Sequence, residues 1–319
     1  MKALWFDGKK LFLKNLAVPR PGKNEALVKI KFAGICNTDL EILKGYMRFV
    51  GVPGHEFVGV VEKGPRTWIG KRVVGEINLA CGKCGYCQAG QTHHCPSRTV
   101  LGIAGKQGVF SEYVTLPVGN LHQVPTAIPD LEAVFVEPLA AAARILEQVP
   151  ILKDSKVILL GDGKLGQLIA RVVRLKTENL LMVGNQPSKL ALAQRLGIKT
   201  ALASKLKKLK PDDKPLLVIE ATGSPAGFHR ALELCRPEGT IILKSTFAGA
   251  PAMNLSPLVV DEIKIVGSRC GNFSPALKLL AAGSIDLRGL TTGIFALEDY
   301  RAAFACAKAP KSFKVIFKI

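Results

Sequence analysis

The feature that most restricts the fold is Gly161-Asp162-Gly163-Lys164-Leu165-Gly166, set between an apolar run at 156–160 and a helix-like stretch at 165–175. A bare G-x-G-x-x-G pattern says little. Between a strand and a helix it forms the turn that holds a dinucleotide pyrophosphate. Gly161 permits the tight turn, Gly163 lets backbone approach the phosphates, and Gly166 lets helix and strand pack closely. The helix start, at Lys164 and Leu165, offers its amides and the positive end of its dipole.

The surrounding pattern agrees with such a turn. Strands are predicted at 156–160, 180–183, 216–220, 240–244 and 264–266, with helices at 165–175 and 189–196. Strands alternating with helices predict an α/β domain with a parallel, doubly wound sheet. Upstream, short Val/Ile/Phe runs such as 26–32, 56–62 and 72–77 are broken by Gly and Pro. They predict an antiparallel barrel or sandwich. The texture changes at Glu137-Pro138, where Pro138 suits a first helical turn and an Ala-rich run follows. The tail is read as helices at 275–282 and 297–307 and a last strand at 313–319 that rejoins the first domain. The predicted plan is a β-rich domain of 1–137 and 272–319 with a dinucleotide-binding domain, 138–271, inserted into it.

A length of 319 residues suits two domains, and 48% hydrophobic with 22% charged residues is the profile of a globular chain. No run reaches the ~18 apolar residues of a membrane span, and the start has no apolar signal region. The expectation is a cytoplasmic protein without a membrane partner. The formal charge is +19, with 44 Lys+Arg against 25 Asp+Glu. Most basic residues are scattered. The one dense run, 205–214, is read as a solvated helix end and loop rather than a nucleic-acid site.

Of eight cysteines, Cys81, Cys84, Cys87 and Cys95 form C-x2-C-x2-C-x7-C. Four thiolates so close together can close a tetrahedral zinc site with no open position, which is a structural site. Iron–sulfur ligation is disfavoured by the spacing. His93 and His94 lie inside this lobe and are surplus to its ligand count.

A second set is dispersed. Cys36 lies in Gly34-Ile35-Cys36-Asn37-Thr38-Asp39, His55 and Glu56 follow Gly54, and Glu137 opens the Ala-rich helix. Each alone is an ordinary residue. Together they supply one sulfur, one nitrogen and one or two oxygens, and three protein ligands with a free fourth position describe catalytic zinc.

In this order, these residues and the glycine turn resemble the zinc-containing medium-chain dehydrogenase/reductase family. The likeness extends over essentially the whole chain, through 108–113, Ala221-Thr222-Gly223 and Lys314-Val315-Ile316. It implies a Rossmann-type domain beside a GroES-like catalytic domain, and two zinc ions per chain. It also implies hydride transfer between NAD(P) and an alcohol, polyol or sugar, or reduction of the matching carbonyl. Cys36 and His55 would hold the catalytic zinc. The third ligand varies in the family, and Glu137 in a Glu-Pro step is similar to polyol and sugar dehydrogenases. Glu56 would stand behind the metal or alternate as ligand. Thr38 would hydrogen-bond the substrate oxygen. Glu41 stands where many alcohol dehydrogenases carry a relay histidine, and a carboxylate can also pass a proton. Thr222 and Ser268, at strand ends, and Lys314 would meet the cofactor. Relatives are usually homodimers or homotetramers.

Cofactor choice rests on an absence. NAD enzymes usually carry an acid about 20 residues after the turn, on the ribose 2′-OH. Here the second strand ends in Gly184-Asn185-Gln186-Pro187-Ser188-Lys189. Gly184 would leave room for a 2′-phosphate, Asn185 and Ser188 could donate to it, and Lys189 could neutralise it. The reading is NADP(H) in preference to NAD(H). Tyr46, Phe49, Trp68 and Phe110 are candidates to line a substrate pocket. The non-enzymatic alternative is a basic zinc-ribbon protein that binds nucleic acid.

Overall fold

Aliphatic and β-branched runs become strands in both parts of the chain, and their burial shows which kind of sheet each joins. The computed structural model describes residues 1–246 and 254–319. They form two units: Met1–Glu137 with Asn272–Gly283 and Leu287–Ile319, and Pro138–Gly271 with Ser284–Asp286.

The second unit is built on six parallel strands in the order Lys199–Leu202, Leu180–Gly184, Val157–Leu160, Leu217–Glu220, Thr240–Leu243, Lys264–Gly267. Every residue of Val157–Leu160 and Leu217–Glu220 is buried, as expected of central strands covered on both faces. Ile158, Leu160, Val218, Phe228 and Ile241 share one core cluster. Each such side chain contributes roughly 1.5–3 kcal/mol through burial. Helices Lys164–Arg174, Pro187–Gln194 and Pro225–Leu234 supply crossovers. The last has Pro225 in its first turn and Ser224 as cap, its hydroxyl accepting from the Gly227 N–H at 3.2 Å. Sequence pattern misses Lys199–Leu202, an edge strand with no fully buried residue. The basic run carries 3-10 turns at Ala203–Lys205 and Pro211–Asp213, not a helix end.

The first unit is a seven-stranded sheet in the order Leu121–Gln123, Arg72–Gly75, Glu56–Lys63, Glu25–Ile35, Lys314–Lys318, Thr291–Ala296, with Tyr113–Pro117 also on Glu25–Ile35. Phe110, Phe304 and Phe317 pack edge-to-face and tilted at 5.1–6.2 Å in its core. Two described pairs of this unit depart from the expected antiparallel pattern: Thr99–Leu101 runs parallel to Gly105–Lys106, and one pair of the large sheet is parallel too. Thr291–Ala296 and Lys314–Lys318 are parallel, because helix Tyr300–Lys308 carries the chain back across the sheet between them. The helix expected at 297–307 thus begins three residues later, after a 3-10 turn at Leu297–Asp299. A hairpin, Lys2–Phe6 with Leu11–Asn15, and a small sheet of Asn78–Leu79, Thr99–Leu101 and Gly105–Lys106 complete the unit. Among the described residues, no helix is long and apolar enough to cross a membrane.

Candidate active site and metal centres

Strand register assembles the dispersed ligand set. Gly34 pairs with Glu56 across the antiparallel strands, and Ile35 pairs with Val315 on the other side. Cys36, one step beyond, therefore meets His55, Glu56 and Lys314. Ligand atoms of Cys36, His55 and Glu56 lie within 4.8 Å of one another, with His55 and Glu56 buried.

Asp39, at the first turn of helix Asn37–Ile42, ties this group together. Its Oδ2 accepts the Cys36 N–H at 2.7 Å, and its Oδ1 stands 3.5 Å from His55 Nδ1. The Lys314 ammonium donates to Glu56 Oε2. Three atoms nevertheless remain buried with no hydrogen-bond partner among the described residues: Asp39 Oδ1, His55 Nδ1 and Glu56 Oε1. An unmet buried polar group costs about 1–3 kcal/mol. A cation held by sulfur, imidazole nitrogen and Glu56 Oε1 would use that unmet oxygen, so this donor set fits zinc.

The electrostatics agree. Burial works against the His55 imidazolium, but the Asp39 carboxylate and the Cys36 thiol outweigh it and hold its pKa well above 6.5. The group is a concentration of negative charge awaiting a cation. Lys314 behaves alike: burial lowers it, while Glu56, Cys36 and Glu137 raise it by more.

Lys314 corrects the expectation of a residue near the cofactor phosphates. It is 3% exposed and its ammonium is taken up by Glu56. Glu137, on helix Val136–Gln148, is half-buried and contributes to the field on Lys314, but it is outside the group of three. The oxygen brought to Cys36 and His55 is that of Glu56. Thr38 Oγ1 lies 3.7 Å from Cys36 Sγ. Glu41 is half-exposed and ion-paired with Lys44 at 2.8 Å. Sequence reasoning missed Asp39. Its signal was an acid three residues after a ligating cysteine at a helix start. The aromatic candidates go elsewhere: Phe49 and Phe110 are core residues, Trp68 lies under Lys71, and Tyr46 is exposed.

The four-cysteine lobe closes around helix Gly85–Gln88 and the 3-10 turn Thr92–His94. Its Sγ–Sγ separations include 3.5, 3.8 and 3.9 Å. A tetrahedron with zinc–sulfur bonds of about 2.3 Å has edges of about 3.8 Å, so the thiols already stand where zinc needs them. Backbone N–H groups of Lys83 and Cys84, with neighbouring thiols, pull Cys81 down to about 6. Lost hydration and the other thiols push Cys87 up to about 12. Four adjacent thiolates are thus unstable together without a metal.

In the second unit the glycine turn is tightly packed. Gly161 has φ +117°, and a Cβ there would strike the Ala221 carbonyl; one on Gly166 would strike the carbonyl of Gly161. Gly163 caps helix Lys164–Arg174 and has open space where a side chain would project. That opening beside the helix N-terminus fits a pyrophosphate. Thr222 and Ser268 have internal duties: Thr222 Oγ1 donates to Glu220 Oε1 at 2.5 Å, and the Lys244 ammonium donates to Ser268 Oγ at 3.1 Å. Asn185 is exposed and Lys189 half-buried. The room expected at Gly184 is filled, because the Asp162 side chain lies against it.

A doubly wound sheet with a dinucleotide turn, a four-thiolate lobe and a Cys/His/Glu cluster define a zinc-dependent oxidoreductase. Comparison with known proteins bears on the same point. Residues 22–126 match the alcohol dehydrogenase GroES-like domain and residues 165–282 the zinc-binding dehydrogenase domain. The chain is 33% identical to the L-threonine 3-dehydrogenase of Streptomyces avermitilis, over 96% of this chain and 95% of that one. It is 29% identical to the sorbitol dehydrogenase of Halalkalibacterium halodurans, over 93% and 92%. Among solved structures it resembles the short chain alcohol dehydrogenase of Escherichia coli with NADH, with TM-score 0.94, 26% identity and coverage of 100% and 99%. A zinc-binding dehydrogenase of Sinorhizobium meliloti bound to NADP gives TM-score 0.91, 25% identity and the same coverage. The chain belongs to the zinc-containing medium-chain dehydrogenase/reductase family, whose members use NAD(P) to oxidise hydroxyl-bearing small molecules. The comparisons lend no support to the nucleic-acid-binding alternative.

Proposed function

We propose that the chain oxidises a secondary hydroxyl of a polyol or sugar-like molecule, or reduces the matching ketone, with Cys36, His55 and Glu56 as catalytic-zinc ligands. The observation that carries this is the unpartnered Glu56 Oε1 beside a thiol and an imidazole. The similarity to a sorbitol dehydrogenase and to an L-threonine 3-dehydrogenase supports a hydroxyl-bearing substrate of this kind.

Bound zinc would supply Lewis acidity to the substrate oxygen, and bound nicotinamide a hydride acceptor. The chain's own residues do the rest. Lys314 holds Glu56 Oε2 and leaves Oε1 as the single ligating oxygen. Asp39 faces His55 Nδ1 and orients the ring, leaving Nε2 for the metal. Thr38 hydrogen-bonds the substrate hydroxyl and relays its proton, releasing its own hydroxyl proton as it takes up the substrate's. Glu41, outside the buried group and open to water, receives that proton next and passes it to solvent. Glu137 tunes the charge on Lys314.

We further place the protein in the cytoplasm, where clustered thiols stay reduced for metal binding. It forms a homodimer or homotetramer, with copies meeting at Lys264–Gly267, an edge strand of the sheet among the described residues. Beside that edge Val259 and Val260 are 79% and 78% exposed, which an unprotected parallel edge does not tolerate in isolation.

A panel of polyols, aldoses, L-threonine and simple alcohols, followed by absorbance of the reduced cofactor, tests the substrate reading. Turnover of polyols or sugars is expected to exceed that of simple alcohols. Preference for a primary monoalcohol over every polyol and sugar overturns it.

A further inference from the structure

The acid that is missing from the end of the second strand has been moved across to the neighbouring one. Leu160 pairs with Val183 in the parallel register, and the Gly161 N–H donates to the Val183 carbonyl at 2.8 Å. Asp162 and Gly184 therefore emerge side by side. They exclude each other: a Cβ on Gly184 would collide with the Cβ, Cγ and Oδ2 of Asp162. The space where a strand-end acid would start its side chain is the space Asp162 occupies.

The carboxylate is held there. Its Oδ2 accepts the Gln186 N–H at 2.7 Å, two residues beyond Gly184. Its Oδ1 has no hydrogen-bond partner among the described residues. Asp162 is only partly buried, so that oxygen is open to a ligand. Lys189, one turn into the next helix, feels the charge: burial lowers its pKa, and the Asp162 carboxylate opposes that.

We propose that Asp162, on the nucleotide turn, is the carboxylate that reads the adenosine ribose, and that this site selects NAD(H) over NADP(H). The proposal rests on the dinucleotide reading of the second unit. Oδ1 accepts a hydrogen bond from a ribose hydroxyl, while Oδ2 stays on Gln186. A 2′-phosphate in the same place would bring two negative charges against a third in a partly desolvated setting. The NADP(H) preference expected from the empty strand end is reversed, because the acid is out of register in the sequence and in register in space.

The test is direct binding of NADH and NADPH to the zinc-loaded protein, followed by the fluorescence of the reduced nicotinamide. Wild type is expected to bind NADH about tenfold or more tightly than NADPH. Asp162→Asn keeps an acceptor for Gln186 and removes the charge; it is expected to bring the two affinities within about threefold. The exchanged pair Asp162→Gly with Gly184→Asp returns the acid to the strand end and is expected to keep the NADH preference. Equal or tighter NADPH binding by wild type overturns the proposal, as does an unchanged affinity ratio in Asp162→Asn. Failure of both nucleotides to bind wild type defeats the dinucleotide reading itself, a separate outcome.

Discussion

Asp39, Glu56 and Lys314 illustrate how much one buried charge depends on its neighbours. Each is nearly inaccessible, and the carboxylates of Asp39 and Glu56 are satisfied only in part by groups of the described residues. Asp39→Asn keeps the shape but weakens the hold on His55, and is expected to lower catalytic-zinc affinity about 10- to 100-fold while thermal stability changes little. Chelator competition measures it; unchanged affinity would remove Asp39 from the site. Protons compete for the same place. The folded pKa of His55 is raised, so in the metal-free chain protonation stabilises the fold below 6.5 and that contribution fades as pH climbs through the raised value. Zinc must displace that proton. Apparent zinc affinity is therefore expected to rise with pH, by about tenfold per unit for one proton, until the raised value is passed. Competition titrations at several pH values give the slope, and a flat profile contradicts it. At Glu41, Glu41→Gln is expected to flatten the pH–rate profile of alcohol oxidation if the carboxylate hands protons to water; a profile that matches wild type assigns it to the surface pair with Lys44.

The lobe and the nucleotide turn stand at the scale of elements. The lobe has short helices and little core of its own, so metal supplies much of its folding energy. Cys95→Ser is expected to reduce bound zinc from two ions to one and to lower the melting temperature, while the cofactor still binds. Zinc analysis with calorimetry tests this, and retention of two ions would refute a four-thiolate site. In the turn, Gly166→Ala drives a methyl into the Gly161 carbonyl. The expected cost is about 1–3 kcal/mol of stability together with weakened nucleotide binding. Chemical denaturation and NADH titration report both losses. Such local devices were legible because they act within a few residues: a loop closed by thiols, or a glycine where no side chain fits. The edge strand Lys199–Leu202 was not, because its pairing with Leu180–Gly184 makes it a strand without any apolar run of its own.

Across the whole molecule, the charge of +19 is spread over both units and is partly consumed by internal duties such as those of Lys314 and Lys244. Val259 and Val260, at the end of helix Ser256–Val260 just ahead of strand Lys264–Gly267, are exposed apolar groups where the proposed contact between copies would form. Val260→Asp is expected to shift the mass in solution from dimer or tetramer towards monomer, measured by light scattering; a wild-type monomer would defeat the oligomer outright. The amino-acid sequence alone determined the α/β class, the glycine turn and the four-cysteine lobe, since these are written in periodicity and short spacings, and the order of its motifs carried the resemblance to the family. Tertiary structure decided that Glu56 rather than Glu137 joins Cys36 and His55, that Lys314 faces Glu56, and that Asp162 fills the space beside Gly184. These are consequences of strand register, which sets residues far apart in the chain side by side and leaves no mark on the local pattern of either.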